Sequence, residues 1–375
     1  MITRSYEPLN QYLQPNKLLL IYGPRRCGKT TLLLQSLSQI NLKTLKITGD
    51  DINAQQILSS QDLPRIKAFV EGYELLAIDE AQNIPNIGMG LKILVDEVPN
   101  LQIIATGSSS FELAGQVGEP LTGRKRTLLL YPIAQMELLS TYNRFELRQK
   151  LEEFLVFGLY PEVVLANTKA EKTALVTEIA SSYLFKDILA FERVRNFRTL
   201  LDLLKLLAFQ IGSEVSYNEL ATQIGIDVKT VQRYLDLLEK TFVIFRLNGY
   251  SRNLRSEVTN KSKIYFLDNG IRNAVIAQFN ALDQRNDTGQ LWENFVVVER
   301  MKKRVYRSIY ANTYFWRTYQ QQEIELVEER EGKLFGYDAK WSPQKRNIPP
   351  RQWIDAYPEA EYALVHPENY LDFIL

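Results

Sequence analysis

The sequence predicts an α/β fold. A parallel sheet sandwiched by helices comes first, then a mostly helical stretch, a helix-turn-helix segment with two strands, and a C-terminal α/β segment. Three observations carry that expectation. Leu18-Leu19-Leu20-Ile21-Tyr22 is continuously apolar, as a strand covered on both faces must be, and it runs into a glycine-bounded loop and a helical pattern. Up to about residue 130, further apolar strands alternate with helical segments, among them Lys43-Thr44-Leu45-Lys46-Ile47-Thr48, which ends at Asp50-Asp51. In the last third, Tyr314-Phe315-Trp316-Arg317, Glu323-Ile324-Glu325-Leu326-Val327 and Leu334-Phe335-Gly336-Tyr337-Asp338-Ala339-Lys340-Trp341 read as three adjacent strands.

The loop after the first strand is Gly23-Pro24-Arg25-Arg26-Cys27-Gly28-Lys29-Thr30-Thr31, a G-x-x-x-x-G-K-[ST] pattern. Such a loop suits a nucleotide triphosphate. Backbone N–H groups converge where the chain curls round an anion at a helix N-terminus, and Gly23 and Gly28 permit the curl. Lys29 offers an ammonium to the β- and γ-phosphates, and the Thr30 hydroxyl offers an oxygen to Mg²⁺. A glycine turn before an ordinary helix is the bland alternative.

Glu74-Leu75-Leu76-Ala77-Ile78-Asp79-Glu80-Ala81 is a buried-strand pattern ending in two acids, as in a Walker B motif. Asp79 is expected to hold Mg²⁺ through water, and Glu80 to orient or deprotonate the attacking water. A third strand, Leu101-Gln102-Ile103-Ile104-Ala105-Thr106, runs into Gly107-Ser108-Ser109-Ser110, where Ser108 or Ser109 would sense the γ-phosphate unless the stretch is only a turn. Leu121-Thr122-Gly123-Arg124-Lys125-Arg126 adds three cations. Arg124 is read either as an arginine finger, from the same chain or a neighbouring subunit, or as part of a surface charge cluster.

Taken in order, Gly-Pro-Arg-Arg-x-Gly-Lys-Thr-Thr, Ile-Asp-Glu-Ala-Gln, Thr-Gly-Ser-Ser and Leu-Thr-Gly-Arg resemble the prokaryotic AAA-type P-loop ATPases that carry a C-terminal domain of unknown function with a nuclease-like fold. Gly158-Leu159-Tyr160-Pro161-Glu162, Tyr183-Leu184-Phe185-Lys186-Asp187-Ile188 and Leu291-Trp292-Glu293-Asn294-Phe295-Val296 extend the resemblance over nearly the whole chain. It implies an ATPase using ATP and Mg²⁺, with Cys27 at a variable loop position and not a nucleophile.

Composition narrows the classes of function. With 375 residues, 45% of them hydrophobic, the chain can bury sizeable cores and divide into two or three domains. A single cysteine excludes an intrachain disulfide framework, and a single histidine, His366, excludes multi-histidine zinc sites and histidine triads. No apolar stretch reaches membrane-spanning length and no signal peptide is evident, so a cytoplasmic protein with no membrane partner is expected. The net charge of +1 leaves any nucleic-acid surface to a local patch.

The expected domains are an ATPase core over 1–130, a helical lid or linker over 131–210 with helices near 148–157 and 172–189, a winged-helix-like segment over 211–268, and a nuclease-like C-terminal domain over 269–375. In the third, Tyr217 through Asp227 pairs one short helix with a glycine-containing turn, and a second helix, from Val228 to Lys240, places Val231, Leu235 and Leu238 at helical spacing. If that helix enters a DNA groove, Lys229, Thr230, Gln232 and Arg233 would meet the bases. Arg252, Arg255, Lys261 and Lys263, facing one acid (Glu257), would meet phosphates. Protein packing is the competing role for such a module.

In the C-terminal third, period-two alternation puts Ile324 and Leu326 on one strand face and Glu323, Glu325 and Val327 on the other. With the right register Glu325, Asp338 and Lys340 converge, which resembles the acid and [DE]-x-K arrangement of restriction-type nucleases. The resemblance implies Mg²⁺ held by Glu325 and Asp338, with Lys340 positioning water and Glu293 joining from the preceding helix. Glu stands where Asp is commoner, and an exposed charged hairpin would show the same short pattern. Besides a DNA-directed ATPase, two readings stay open: a nucleotide-controlled switch with negligible turnover, and an ATP-regulated nuclease. Homo-oligomerisation follows if Arg124 acts in trans.

Overall fold

The computed structural model describes residues 2–107, 121–191, 197–250, 261–342 and 348–375, with only the backbone for 182–191 and 261. The chain divides into two compact units. One comprises Thr3–Pro132 with Lys240–Phe242, the other Ile133–Glu239 and Val243–Leu375 with the first two residues.

The first unit is a five-stranded, all-parallel sheet in the order β2-β3-β4-β1-β5, formed by β1 (Leu18–Tyr22), β2 (Thr44–Thr48), β3 (Leu75–Asp79), β4 (Gln102–Gly107) and β5 (Lys125–Leu129). Its helices are α1 (Lys29–Leu37), α2 (Ile52–Leu58), α3 (Leu63–Phe69) and α4 (Ile87–Glu97). β1 and β3 are buried along four of their five residues, which is why they read as unbroken apolar runs. Asp51 caps α2 and Asp62 caps α3 by accepting backbone N–H bonds, while α1 starts at Gly28 with no side-chain cap. β3, β4 and β1 are neighbours, so their carboxyl ends bring Asp79, Gly107 and Gly23 to one edge of the sheet.

The second unit opens with helices: α5 (Gln135–Leu138), α6 (Arg144–Gln149), α7 (Leu151–Phe157), α8 (Pro161–Leu165), α9 (Lys169–Phe191) and α10 (Phe197–Phe209). The segment expected as one helix near 148–157 is broken at Lys150, between α6 and α7. Then follow β6 (Glu214–Ser216), α11 (Tyr217–Ile224), α12 (Val228–Lys240), β7 (Ile244–Gly249), β8 (Lys261–Phe266), α13 (Asn269–Val275) and α14 (Thr288–Tyr306). The chain closes with β9 (Asn312–Arg317), β10 (Glu323–Arg330), β11 (Lys333–Ala339), α15 (Arg351–Ala356), β12 (Glu361–Val365) and α16 (Tyr370–Ile374). Its seven strands make one mixed sheet in the order β12-β11-β10-β9-β7-β8-β6, with β7 parallel to β9.

The expected alternation along β10 does not hold. The ladder to β9 shifts register between Ile324 and Val327, so Ile324 and Val327 pack together against Trp316 and Trp353, whereas Leu326 packs with Tyr265, Val297 and Phe315. A bulge adds one residue and reverses the phase of every side chain beyond it. Among the described residues no helix is long and apolar enough to cross a membrane.

Candidate functional site

The loop between β1 and α1 is built on backbone signs. Arg26 (φ 56°) and Gly28 (φ 95°) are left-handed and flank Cys27, a pattern that turns successive N–H groups towards one concave side. Gly23 abuts the end of β5: a Cβ there would lie 2.0 Å from the Leu130 carbonyl oxygen, so no side chain fits. Lys29, 4% exposed, donates from Nζ to the carbonyls of Gly23 at 3.0 Å and Pro24 at 2.6 Å, which lays its ammonium across the loop. Cys27 is fully buried and its Sγ donates to Leu130 O at 3.3 Å, a packing role.

At the ends of β3 and β4 the acids meet hydroxyls. Thr30 Oγ1 donates to Asp79 Oδ2 at 2.9 Å, and Thr106 Oγ1 donates to Asp79 Oδ1 at 2.5 Å. The Thr106 oxygen in turn accepts the Glu80 N–H at 3.0 Å, and the Glu80 carboxylate accepts from the Gln82 amide. Glu80 itself is left-handed (φ 52°), an uncommon conformation for a side chain of this kind and one that turns the chain sharply after Asp79. Thr31 follows in the first turn of α1. The structure thus brings Lys29, Thr30, Asp79 and Glu80 to one edge.

Arg124 is placed differently from a free finger: its Nε pairs with Asp96 of α4 at 2.6 Å, while Arg126 lies over the Tyr12 ring. Ser108 and Ser109 lie outside the described residues. Two contributors escaped the sequence reading. Thr106 reads in sequence only as a strand end and the first residue of Thr-Gly-Ser-Ser, with no role of its own. Arg4 lies far from the loop in sequence.

In the second unit, a cavity of about 450 Å³ is lined by Lys263, Glu293, Glu323, Glu325, Lys340 and Arg317, among others. Glu325, Asp338 and Lys340 converge as expected. Lys340 Nζ donates to Glu325 Oε1 at 2.5 Å, the Glu325 N–H donates to Asp338 Oδ1 at 3.1 Å, and Tyr362 donates to Asp338 Oδ2 at 2.8 Å. Burial, reinforced by the Glu293 charge, pushes the Glu325 carboxyl up to about 8 against the pull of Lys340. Burial likewise raises Asp338.

Lys263 was expected on DNA phosphates, but β8 turns it inward. It is 2% exposed, and its ammonium reaches Glu293 Oε1 at 3.0 Å and also pairs with Glu323. Burial lowers its proton affinity, yet Glu293 and Glu323 outweigh burial and hold it above the usual lysine range. Tyr265 donates to Glu293 at 2.7 Å. Among the described residues no group of three or more His, Cys, Asp and Glu is placed to hold a metal ion.

On α12, Val231, Leu235 and Leu238 are buried and Lys229, Gln232 and Arg233 are exposed. Thr230 is engaged at the helix start, its N–H and hydroxyl both donating to Asp227 at 2.9 and 2.6 Å. Arg252, Arg255 and Glu257 lie outside the described residues, as do the side chains of Lys261 and of Tyr183 through Ile188.

Given this geometry, comparison with known proteins shows what the chain is similar to. The profile described as "AAA domain" matches residues 15–139, so this region is similar to AAA-type P-loop domains, a class that generally binds ATP with Mg²⁺. Two profiles described as domains of unknown function, DUF8612 and DUF4143, match residues 148–282 and 288–370. The uncharacterized protein MJ1544 of Methanocaldococcus jannaschii is 26% identical over 318 residues, 78% of this chain and 68% of the relative. An uncharacterized protein of Haemophilus influenzae is 25% identical over 338 residues, 81% of this chain and 79% of the relative. Among solved structures, the Holliday junction branch migration motor RuvB of Thermotoga maritima covers 61% of this chain and 82% of its own at 16% identity, with a TM-score of 0.28 too low to bear on the fold.

Proposed function

We propose that this chain is a Mg²⁺-dependent ATPase whose AAA domain drives a DNA-directed module built from the winged-helix-like segment and the C-terminal α/β segment. The observation that carries the reading is the meeting of Thr30 and Asp79 at 2.9 Å, with Glu80 next in sequence. A hydroxyl and a carboxylate side by side at the mouth of an uncapped helix are the hard oxygen donors that MgATP requires. The residues present therefore fit the group. When bound, Mg²⁺ neutralises charge on the phosphate oxygens. Lys29 supplies a buried ammonium at the loop, Thr30 and Asp79 supply oxygen, and Glu80, steadied by Gln82, orients and deprotonates water.

For the second unit the support is the amphipathic α12, which leaves Lys229, Gln232 and Arg233 outward near its start. A metal at Glu293, Glu325 and Asp338 does not fit the side chains as placed: Lys263 holds Glu293, burial keeps the Glu325 carboxyl protonated, and Asp338 is engaged by the Glu325 N–H and Tyr362. We therefore read this cavity as an electrostatic core and not as a nuclease centre. Measuring ATP turnover with and without duplex DNA, and inspecting the same DNA for nicks, tests both parts. Stimulated turnover with intact DNA is expected. Absence of turnover would leave a nucleotide-controlled switch, and nicking abolished by Asp338→Ala would restore the nuclease reading.

A further inference from the structure

The phosphate loop is braced by a residue outside its motif. Arg4 is 6% exposed, and its guanidinium donates from Nη1 to the Cys27 carbonyl at 2.5 Å and from Nη2 to the Tyr131 carbonyl at 2.7 Å. Glu7 steadies the arm. One of its oxygens accepts the Arg4 N–H at 3.1 Å and the other accepts Gln35 Nε2, on α1, at 3.1 Å. Segment 4–7 is thereby tied to the loop, to the helix that follows it and to the chain leaving β5.

The Cys27 carbonyl and the Gly28 N–H belong to one peptide group. In a trans peptide they point in opposite directions, so a guanidinium fixed on Cys27 O dictates that the Gly28 N–H points away from Arg4. This peptide is the one most at liberty to turn over, because glycine accepts either sign of φ and Gly28 is already left-handed (φ 95°). Turned over, it would offer an anion a carbonyl oxygen in place of a donor.

We propose that Arg4 is a positioning residue for nucleotide. It locks the Cys27–Gly28 peptide with its N–H towards the phosphates and, by polarising the carbonyl, strengthens that N–H as a donor. The proposal rests on reading the loop as a nucleotide site. It also gives the Arg4 fork a task lysine does not replace, since one ammonium lacks the planar spread that serves two carbonyls.

The test titrates the full chain, wild type, Arg4→Ala and Arg4→Lys, with a fluorescent ATP analogue. Unfolding midpoints are measured without nucleotide, and the titration is repeated in millimolar guanidinium. Binding ~10- to 100-fold weaker is expected for Arg4→Ala, the loss typical of a hydrogen bond to a charged group, with partial restoration by guanidinium and little restoration by lysine. Wild-type affinity in Arg4→Ala, or a weakening that only follows the folded fraction and ignores guanidinium, overturns the proposal. Should Arg4→Ala not fold, wild-type affinity in Arg4→Lys overturns it equally. A wild-type chain that does not bind the analogue defeats the nucleotide reading itself, and this proposal with it.

Discussion

Thr106 donates to the Asp79 carboxylate at 2.5 Å and accepts the Glu80 N–H at 3.0 Å, so one hydroxyl on β4 sets both acids at the end of β3. Thr106→Val keeps the shape of the side chain and removes the hydroxyl. ATP binding is expected to persist while turnover falls about tenfold, the worth of one hydrogen bond at a reacting centre, and Thr106→Ser should recover most of it. Steady-state kinetics beside a binding titration decides, and an unaltered rate in the valine variant would refute the role.

Glu80→Gln preserves the side-chain length and removes the base. Nucleotide should remain bound while hydrolysis drops by about 10²- to 10⁴-fold, the usual contribution of a positioned base. Retention of labelled ATP on the variant, compared with phosphate release, separates the two effects. Undiminished release would show that Glu80 is not the base.

Gly23→Ala tests the packing beneath the loop. Its Cβ would fall 2.0 Å from Leu130 O, and the position is already at φ 153°, so backbone must move. A loss of about 2–3 kcal/mol is expected from overpacking against a rigid carbonyl, together with weakened nucleotide binding. Denaturant unfolding measures the first and titration the second.

Glu325 makes the second unit sensitive to pH. Its carboxyl keeps a proton to about 8 in the native state, against 4.5 for the ordinary side chain, so native protein binds extra proton between those values. Its contribution therefore favours folding most at the acid end of that window and is lost as pH rises through about 8. Asp338 acts in the same direction, while Lys263 and Lys340, both raised, titrate above the window. In Glu325→Gln, denaturation midpoints from pH 5 to 8 should decline less steeply than in wild type; parallel curves would count against the assignment.

Lys263→Met removes a cation from between Glu293 and Glu323 and leaves two carboxylates crowded beside Glu325. Stripping one partner from a buried ionic group typically costs about 3–5 kcal/mol, and a comparable fall in unfolding free energy is expected. Adding Glu293→Gln to that variant should return part of the loss, because it removes one of the stranded charges. A second substitution that only adds to the damage would argue against direct pairing.

Much of the candidate nucleotide site was legible because its chemistry is local. Gly23 through Thr31 is contiguous, and Asp79 and Glu80 close a strand whose burial shows as an apolar run. What escaped depends on contacts between distant segments. Nothing near Arg4 announces that it reaches Cys27, and Thr106 became informative only once β4 lay between β3 and β1. The faces of β10 were misread because alternation assumes a regular ladder, and the bulge after Ile324 is set by pairing to β9. Lys263 was misassigned because a lysine in a strand reads as exposed until its acidic partners on α14 and β10 are known.

The parallel pairing of β7 with β9 bears on how the chain can be cut. Asn248 and Gly249 pair with Tyr314 and Phe315, and the Tyr250 N–H donates to Phe315 O at 2.6 Å. A fragment ending at 268 would leave that side of β7 open to solvent, and one beginning at 269 would do the same to β9. Each bare edge is a template for another chain, so fragments divided there should associate or precipitate, whereas one spanning β6 to β12 keeps both edges covered.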